Sequence, residues 1–174
     1  MKNVTAKKLA ITALFMALTM VATLFIRIPL PLGYVNFGDA FVLLSVFVLG
    51  PIYGTIAAGV GSGLADLFGY ITYAPGTLII KSAMALVAWL VYQMLFKTVK
   101  KPLFAEVIAG VFAVVVMAFG YFLYEALLFT TVGTAILNVP WNLLQGATGI
   151  VISVTLMRVL AGTKILEKVK KIFN

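Results

Sequence analysis

The chain of 174 residues is 63% hydrophobic and only 10% charged, which excludes an ordinary soluble domain and makes lipid its main solvent. It has no cysteine and no histidine, and only five carboxylates, so disulfides, thiol chemistry and the commonest zinc ligation are excluded, and no metal or cofactor is expected. Its net charge of +8 sits in lysine clusters between or beyond the apolar runs, without interleaved aromatics. That pattern is a membrane-orientation signal, and no nucleic-acid partner is expected.

In chain order, the run Leu9 to Ile26 follows Lys2, Lys7 and Lys8. It is longer than a signal-peptide core and further runs follow it, so it reads as an uncleaved first membrane helix. Ala6, Ala10, Ala13 and Ala17 recur on it at helical spacing and make a flat strip, suited to packing inside a bundle or to docking another membrane subunit. Phe37 to Leu49 is short for a span. Ile52 to Tyr70 carries Gly59, Gly61 and Gly63, which lack the strand and acidic residue of a dinucleotide loop and read as close-packing positions.

Thr77 to Phe96, Leu103 to Thr130 and Val139 to Leu160 follow. Lys164 to Phe173 places Ile165, Val169 and Ile172 on one face and is expected on the membrane surface, in contact with lipid. An even number of crossings brings both lysine-rich ends and the Lys97 to Lys101 loop to one side, the cytoplasm. The expected fold is an all-α integral membrane bundle of six transmembrane helices, one domain over residues 1–174, with both termini cytoplasmic, in the cell membrane.

An ionisable side chain within a span costs about 3 kcal/mol on insertion scales, so it must be paired, hydrated or functional. Asp66, Lys81 and Glu125 fall at one depth near the outer ends of three helices. Asn138, Asn142 and Gln145 bring in a fourth helix by i, i+4, i+7 spacing, beside Trp141. With aromatic walls such as Tyr121, these residues predict an outer pocket for a small neutral or zwitterionic heterocycle. Other readings stay open: an Asp66–Lys81 ion pair that fixes helix register, Glu125 reaching the interface, and Trp141 and the tyrosines as an interfacial belt. Arg27 and Asp39, at span ends, read as solvated structural charges, and nothing like the outer polar layer is expected at the inner face.

Several stretches together resemble the substrate-binding S components of energy-coupling factor (ECF) vitamin transporters, in the hydroxymethylpyrimidine, pyridoxine and riboflavin branch. They are the alanines of the first helix, Gly33-Tyr34-Val35-Asn36-Phe37-Gly38-Asp39-Ala40, Leu49-Gly50-Pro51, Gly61-Ser62-Gly63-Leu64-Ala65-Asp66-Leu67 and Tyr73-Ala74-Pro75-Gly76-Thr77-Leu78-Ile79-Ile80-Lys81. The resemblance implies a vitamin site under the first and third of the outer loops Ile28 to Asn36, Ile71 to Gly76 and Thr131 to Asn138; Tyr34 and Asn36 of the first loop and Tyr73 of the second join the expected binding residues. It also implies a transmembrane coupling subunit and two cytoplasmic ATPases as partners, with the alanine face docking on the coupling subunit.

The chain has no phosphate-binding G-x-x-x-x-G-K-[ST] loop of its own. Glu125, Asn142 and Lys81 suit a single substituted ring, so pyridoxine or hydroxymethylpyrimidine is expected ahead of riboflavin. Intramembrane carboxylates also serve proton coupling, which makes a self-sufficient secondary transporter or channel the second reading. A lipid-modifying enzyme comes third, because no carboxylate cluster is expected at the cytoplasmic face.

Overall fold

A computed structural model describes residues 2–29 and 34–173; Gly33, in one of the family-like stretches, lies outside them. The order is α1 (Lys2–Phe25), β1 (Arg27–Pro29), β2 (Tyr34–Asn36), α2 (Gly38–Leu49), α3 (Pro51–Leu67), α4 (Ala74–Val99), α5 (Pro102–Leu128), a short α6 (Val132–Ala135), a 3-10 turn (Ile136–Asn138), α7 (Val139–Ala161) and α8 (Lys164–Phe173). Each apolar segment expected from the sequence is helical. Proline opens α3, α4, α5 and α7, where its missing N–H is one of the helix's orphan donors. Gly50, at φ +79°, makes the tight α2–α3 turn that a side chain would strain.

Two connections carry structure that the sequence reading did not assign. Between α1 and α2, β1 and β2 pair antiparallel, Arg27 opposite Asn36 and Pro29 opposite Tyr34. Between α5 and α7 the chain is helical in part, through α6 and the 3-10 turn. Both satisfy backbone groups that uncovered loops would leave unpaired at the rim of an apolar bundle.

α2 packs against α1, α3, α4, α7 and α8. Eleven of the 12 residues of α2 are buried. Among the described residues, four helical stretches are long and apolar enough to cross a membrane: Val4–Phe25, Ala74–Val99, Pro102–Leu128 and Val132–Ala161. The others are shorter than the roughly 20 residues of a full span: α2 has 12 and α3 has 17.

The bundle is held by small residues on inward stripes. On α5 the stripe Ala105, Ala109, Ala113, Met117, Tyr121, Glu125 is buried at every fourth position, while Phe112, Val115 and Phe119 face outward. Backbones therefore approach closely: a Cβ on Gly61 would lie 2.6 Å from the Met16 carbonyl oxygen of α1. Packing of small residues, rather than bulk hydrophobicity, is what holds helices together when lipid is as apolar as the core. Leu166 of α8 is buried, Val169 and Phe173 pack against the core, and Ile165 is exposed. So the inward face of α8 is Leu166–Val169–Phe173, not the expected Ile165–Val169–Ile172 face, because the helix packs against the end of the bundle.

Candidate functional site

The inward stripes that hold the bundle together turn polar at the end beneath the β1–β2 hairpin. On α4 the buried series Thr77, Lys81, Met84, Ala88, Tyr92 carries Lys81 inward. On α3, Ser62 and Asp66 continue the row begun by Ala58. Asn138 and Gln145 are buried on the same face as Gly149, Ser153 and Met157. The sequence thus sets these polar groups at positions that the helices must bury for packing reasons alone.

They enclose a cavity lined by Tyr34, Asn36, Asp66, Tyr73, Lys81, Tyr121, Glu125, Asn138, Asn142 and Gln145. It brings together every site residue named from the sequence except Trp141. That side chain is 46% exposed and turns to the outside of α7, as the belt reading has it. Three lining residues went unnoticed in the sequence: Thr23, Ser62 and Thr77.

Several hydrogen-bonded groups fix the site. Lys81 Nζ forms an ion pair with Asp39, and Gln145 Nε2 donates to the other Asp39 oxygen at 2.8 Å. Gln145 Oε1 in turn accepts from the Asn36 backbone N–H at 2.8 Å, and Asn36 Oδ1 accepts from the Gly38 N–H at 2.7 Å. The chain of contacts therefore joins the hairpin, the start of α2, α4 and α7. Glu125 accepts from Asn138 Nδ2 at 3.0 Å and from the Tyr73 hydroxyl at 3.4 Å. Asp66 accepts from the Tyr34 hydroxyl. Burial, together with the adjacent Asp66 carboxylate, pushes the Tyr34 phenol well above its ordinary value, so Tyr34 remains a donor at physiological pH.

Two expectations are corrected here. Lys81 does not pair with Asp66; its partner is Asp39. Nor is Asp39 a solvated end charge: it is 0% exposed, because α2 begins inside the bundle and α7 closes over it at Gly149, where a Cβ would lie 2.7 Å from the Asp39 Cβ. Arg27 does stay at the rim, over the Tyr34 ring at 5.2 Å.

The free space among these side chains is only ≈ 30 Å³, room for about one or two waters. A ring-sized ligand needs more room than this, so the lining side chains must give way to hold one.

The opposite end of the bundle, expected to be the inner one, is also more elaborate than expected. Glu106, buried, pairs with Arg158 across α5 and α7. A wider cavity of ≈ 510 Å³ lies between the α2–α3 turn, α4 and α8, with Lys8, Tyr53, Trp89 and Lys170 in its walls. Sequence spacing gave no sign of it, since it arises from α8 folding back, where Phe173 stacks edge-on against Tyr53 at 5.2 Å.

The comparisons with known proteins agree with this architecture. The family described as ECF-type riboflavin transporter, S component, matches residues 3–162. A Pyrococcus woesei protein, described as an uncharacterized protein in the gap 3' region, is 35% identical over 135 residues, covering 76% of this chain and 86% of its own length. In three dimensions the chain is similar to the S component of a bacterial ECF transporter (TM-score 0.67, 22% identity, 91% of this chain and 97% of that one). It is also similar to the S component for biotin from an ECF-type ABC transporter (TM-score 0.66, 18% identity, 91% and 94%); at these identities the likeness is one of fold. The family and its structural neighbours are transporter components and not enzymes. The chain thus belongs to the ECF-type riboflavin transporter S-component family, the multi-pass substrate-binding subunits of the cell membrane that work with an ECF module of transmembrane and ATPase subunits.

Proposed function

We propose that this S component captures a small single-ring vitamin or precursor of the pyridoxine or hydroxymethylpyrimidine kind in the polar cavity beneath the β1–β2 hairpin. The observation that carries the reading is the convergence of charges, amides and tyrosines from α3, α4, α5 and α7 on one cavity. Such a mixture orients one small polar ring, and a fused ring system with a long tail would need far more of the bundle to move. The chain is one membrane domain with six crossings, both ends cytoplasmic, the short α2 and α3 being completed by their neighbours. The exposed alanine strip of α1 docks on the transmembrane subunit of the module.

Calorimetry on the purified protein tests the substrate. Binding of pyridoxine, hydroxymethylpyrimidine or a close analogue below about 10 micromolar is expected of a scavenger; failure of all of these, with thiamine and riboflavin also unbound, would sink the proposal. Glu125→Gln keeps the shape and one acceptor but removes the charge. It should weaken binding by about 1.5 to 3 kcal/mol, the range for hydrogen bonds to charged groups, or about tenfold to a hundredfold in Kd. Unchanged affinity would remove Glu125 from the site.

Topology has its own check. A cysteine at exposed Thr98, near the end of α4, should resist an impermeant thiol reagent in intact cells, and labelling from outside would invert the arrangement.

A further inference from the structure

The charges around the cavity do not balance. Two carboxylates, Asp66 and Glu125, line it against a single cation, Lys81, and Lys81 is already matched from behind by Asp39. Asp66 is held by a phenol and Glu125 by an amide and a phenol, all neutral donors. The nearest other cation, Arg27, is engaged at the rim, donating to the Leu24 carbonyl at 2.8 Å and lying over the Tyr34 and Tyr70 rings. Counting Arg27 as well, three carboxylates face two cations. Asp66 also feels the charges of Lys81 and Arg27, whereas Glu125 is served by the neutral Asn138 and Tyr73 donors; a positive charge brought alongside a buried carboxylate so served improves its state.

A second observation is independent of charge. Thr23 Oγ1 on α1 and Ser62 Oγ on α3 line the same cavity, are in residues 3% and 1% exposed, and have no hydrogen-bond partner among the described residues. Buried hydroxyls are ordinarily satisfied. These two sit on the α1–α3 side, and the carboxylates come from α3 and α5, so a ligand spanning the cavity meets unpaired hydroxyls and unbalanced carboxylates. Tyr34, Tyr73 and Tyr121 line the cavity as well, and Arg27 over the Tyr34 ring and Lys81 over the Tyr121 ring are contacts of the kind a flat cation makes.

We infer that the substrate is an organic cation: a flat ring bearing a protonated or quaternary nitrogen that is balanced by Asp66 and Glu125, with a hydroxyl-type substituent completing Thr23 and Ser62. This rests on the reading of the cavity as the substrate site, and narrows it from neutral or zwitterionic rings to amine-bearing or aminopyrimidine ones. Neutral flavins fall outside the class.

Pyridoxamine and pyridoxine make a matched pair, since they share ring and hydroxyls and differ in an ammonium against a hydroxyl. Calorimetry at neutral pH should give pyridoxamine at least tenfold tighter binding, and Asp66→Asn or Glu125→Gln, each checked by thermal melt for folding, should shrink that ratio. Ser62→Ala should weaken pyridoxamine binding several-fold without lowering the melting temperature, since it removes a hydroxyl that none of the described residues bonds. Equal or tighter binding of pyridoxine, or of riboflavin, overturns the cation inference and leaves the site standing. If no ring of either charge binds, both fall together.

Discussion

Protein carrying Ala13→Trp or Ala17→Trp is expected to bind its substrate with unchanged affinity and to support no uptake in cells. Ala6, Ala10, Ala13 and Ala17 are all exposed on α1, whereas Thr12, Phe15, Thr19 and Ala22 on its other side are buried against the bundle. The strip is therefore not consumed by packing within the chain, and an indole there projects away from the cavity, whose one α1 residue is Thr23. Small side chains allow backbones to approach closely, and a bulky ring holds two helices apart by several ångströms, enough to remove the contact outright. Calorimetry on purified variants and uptake of labelled substrate in cells separate the two effects. Parallel loss of both would mean that the strip serves the bundle itself.

The second large effect concerns stability. Lys81→Met leaves Asp39 at 0% exposure without its counter-ion, and breaking one side of a buried pair costs about 3 to 5 kcal/mol. Gln145 Nε2 still donates to Asp39, but a neutral amide replaces no charge. Adding Asp39→Asn to Lys81→Met should recover most of the loss, because a matched neutral pair avoids the unpaired buried charge. Thermal unfolding in one detergent, for wild type, both single variants and the double, gives the coupling directly. A double variant no more stable than Lys81→Met would show that the pair does not act as a unit.

Much of this was legible in the sequence because lipid makes the rules strict. Apolar runs of helical length name the helices, and the expense of Asp66, Lys81, Glu125 and the amides within them names most of the cavity wall. What escaped depends on tertiary depth. Asp39 stands at a segment boundary, where a sequence reads solvent; it is the shortness of α2 and the cover of α7 that bury it.

The hydroxyls escaped for a different reason. Thr19 bonds the Phe15 carbonyl one turn back at 2.9 Å, and Thr23 on the same helix has no such partner, yet the two are indistinguishable by position or neighbours. Trp141 erred in the other direction. It lies at the edge of the Asn138–Asn142–Gln145 face, and a side chain of that size is accommodated outside the bundle more readily than within a cavity of ≈ 30 Å³.

The 12 residues of α2 rise about 18 Å at the usual helical pitch, against roughly 30 Å of hydrocarbon. A segment that short, entering the bilayer alone as it leaves the ribosome, would drag its flanking backbone and the Asp39 carboxylate into lipid. Its insertion is therefore expected to wait for company: α2 and α3 are expected to go in as one hairpin about Gly50, secured once α4 arrives and Lys81 neutralises Asp39. On that expectation the ion pair beneath the cavity is also a checkpoint of assembly. A nascent chain halted before residue 81 should leave its second and third helices accessible at the membrane surface, and one extended through α4 should not.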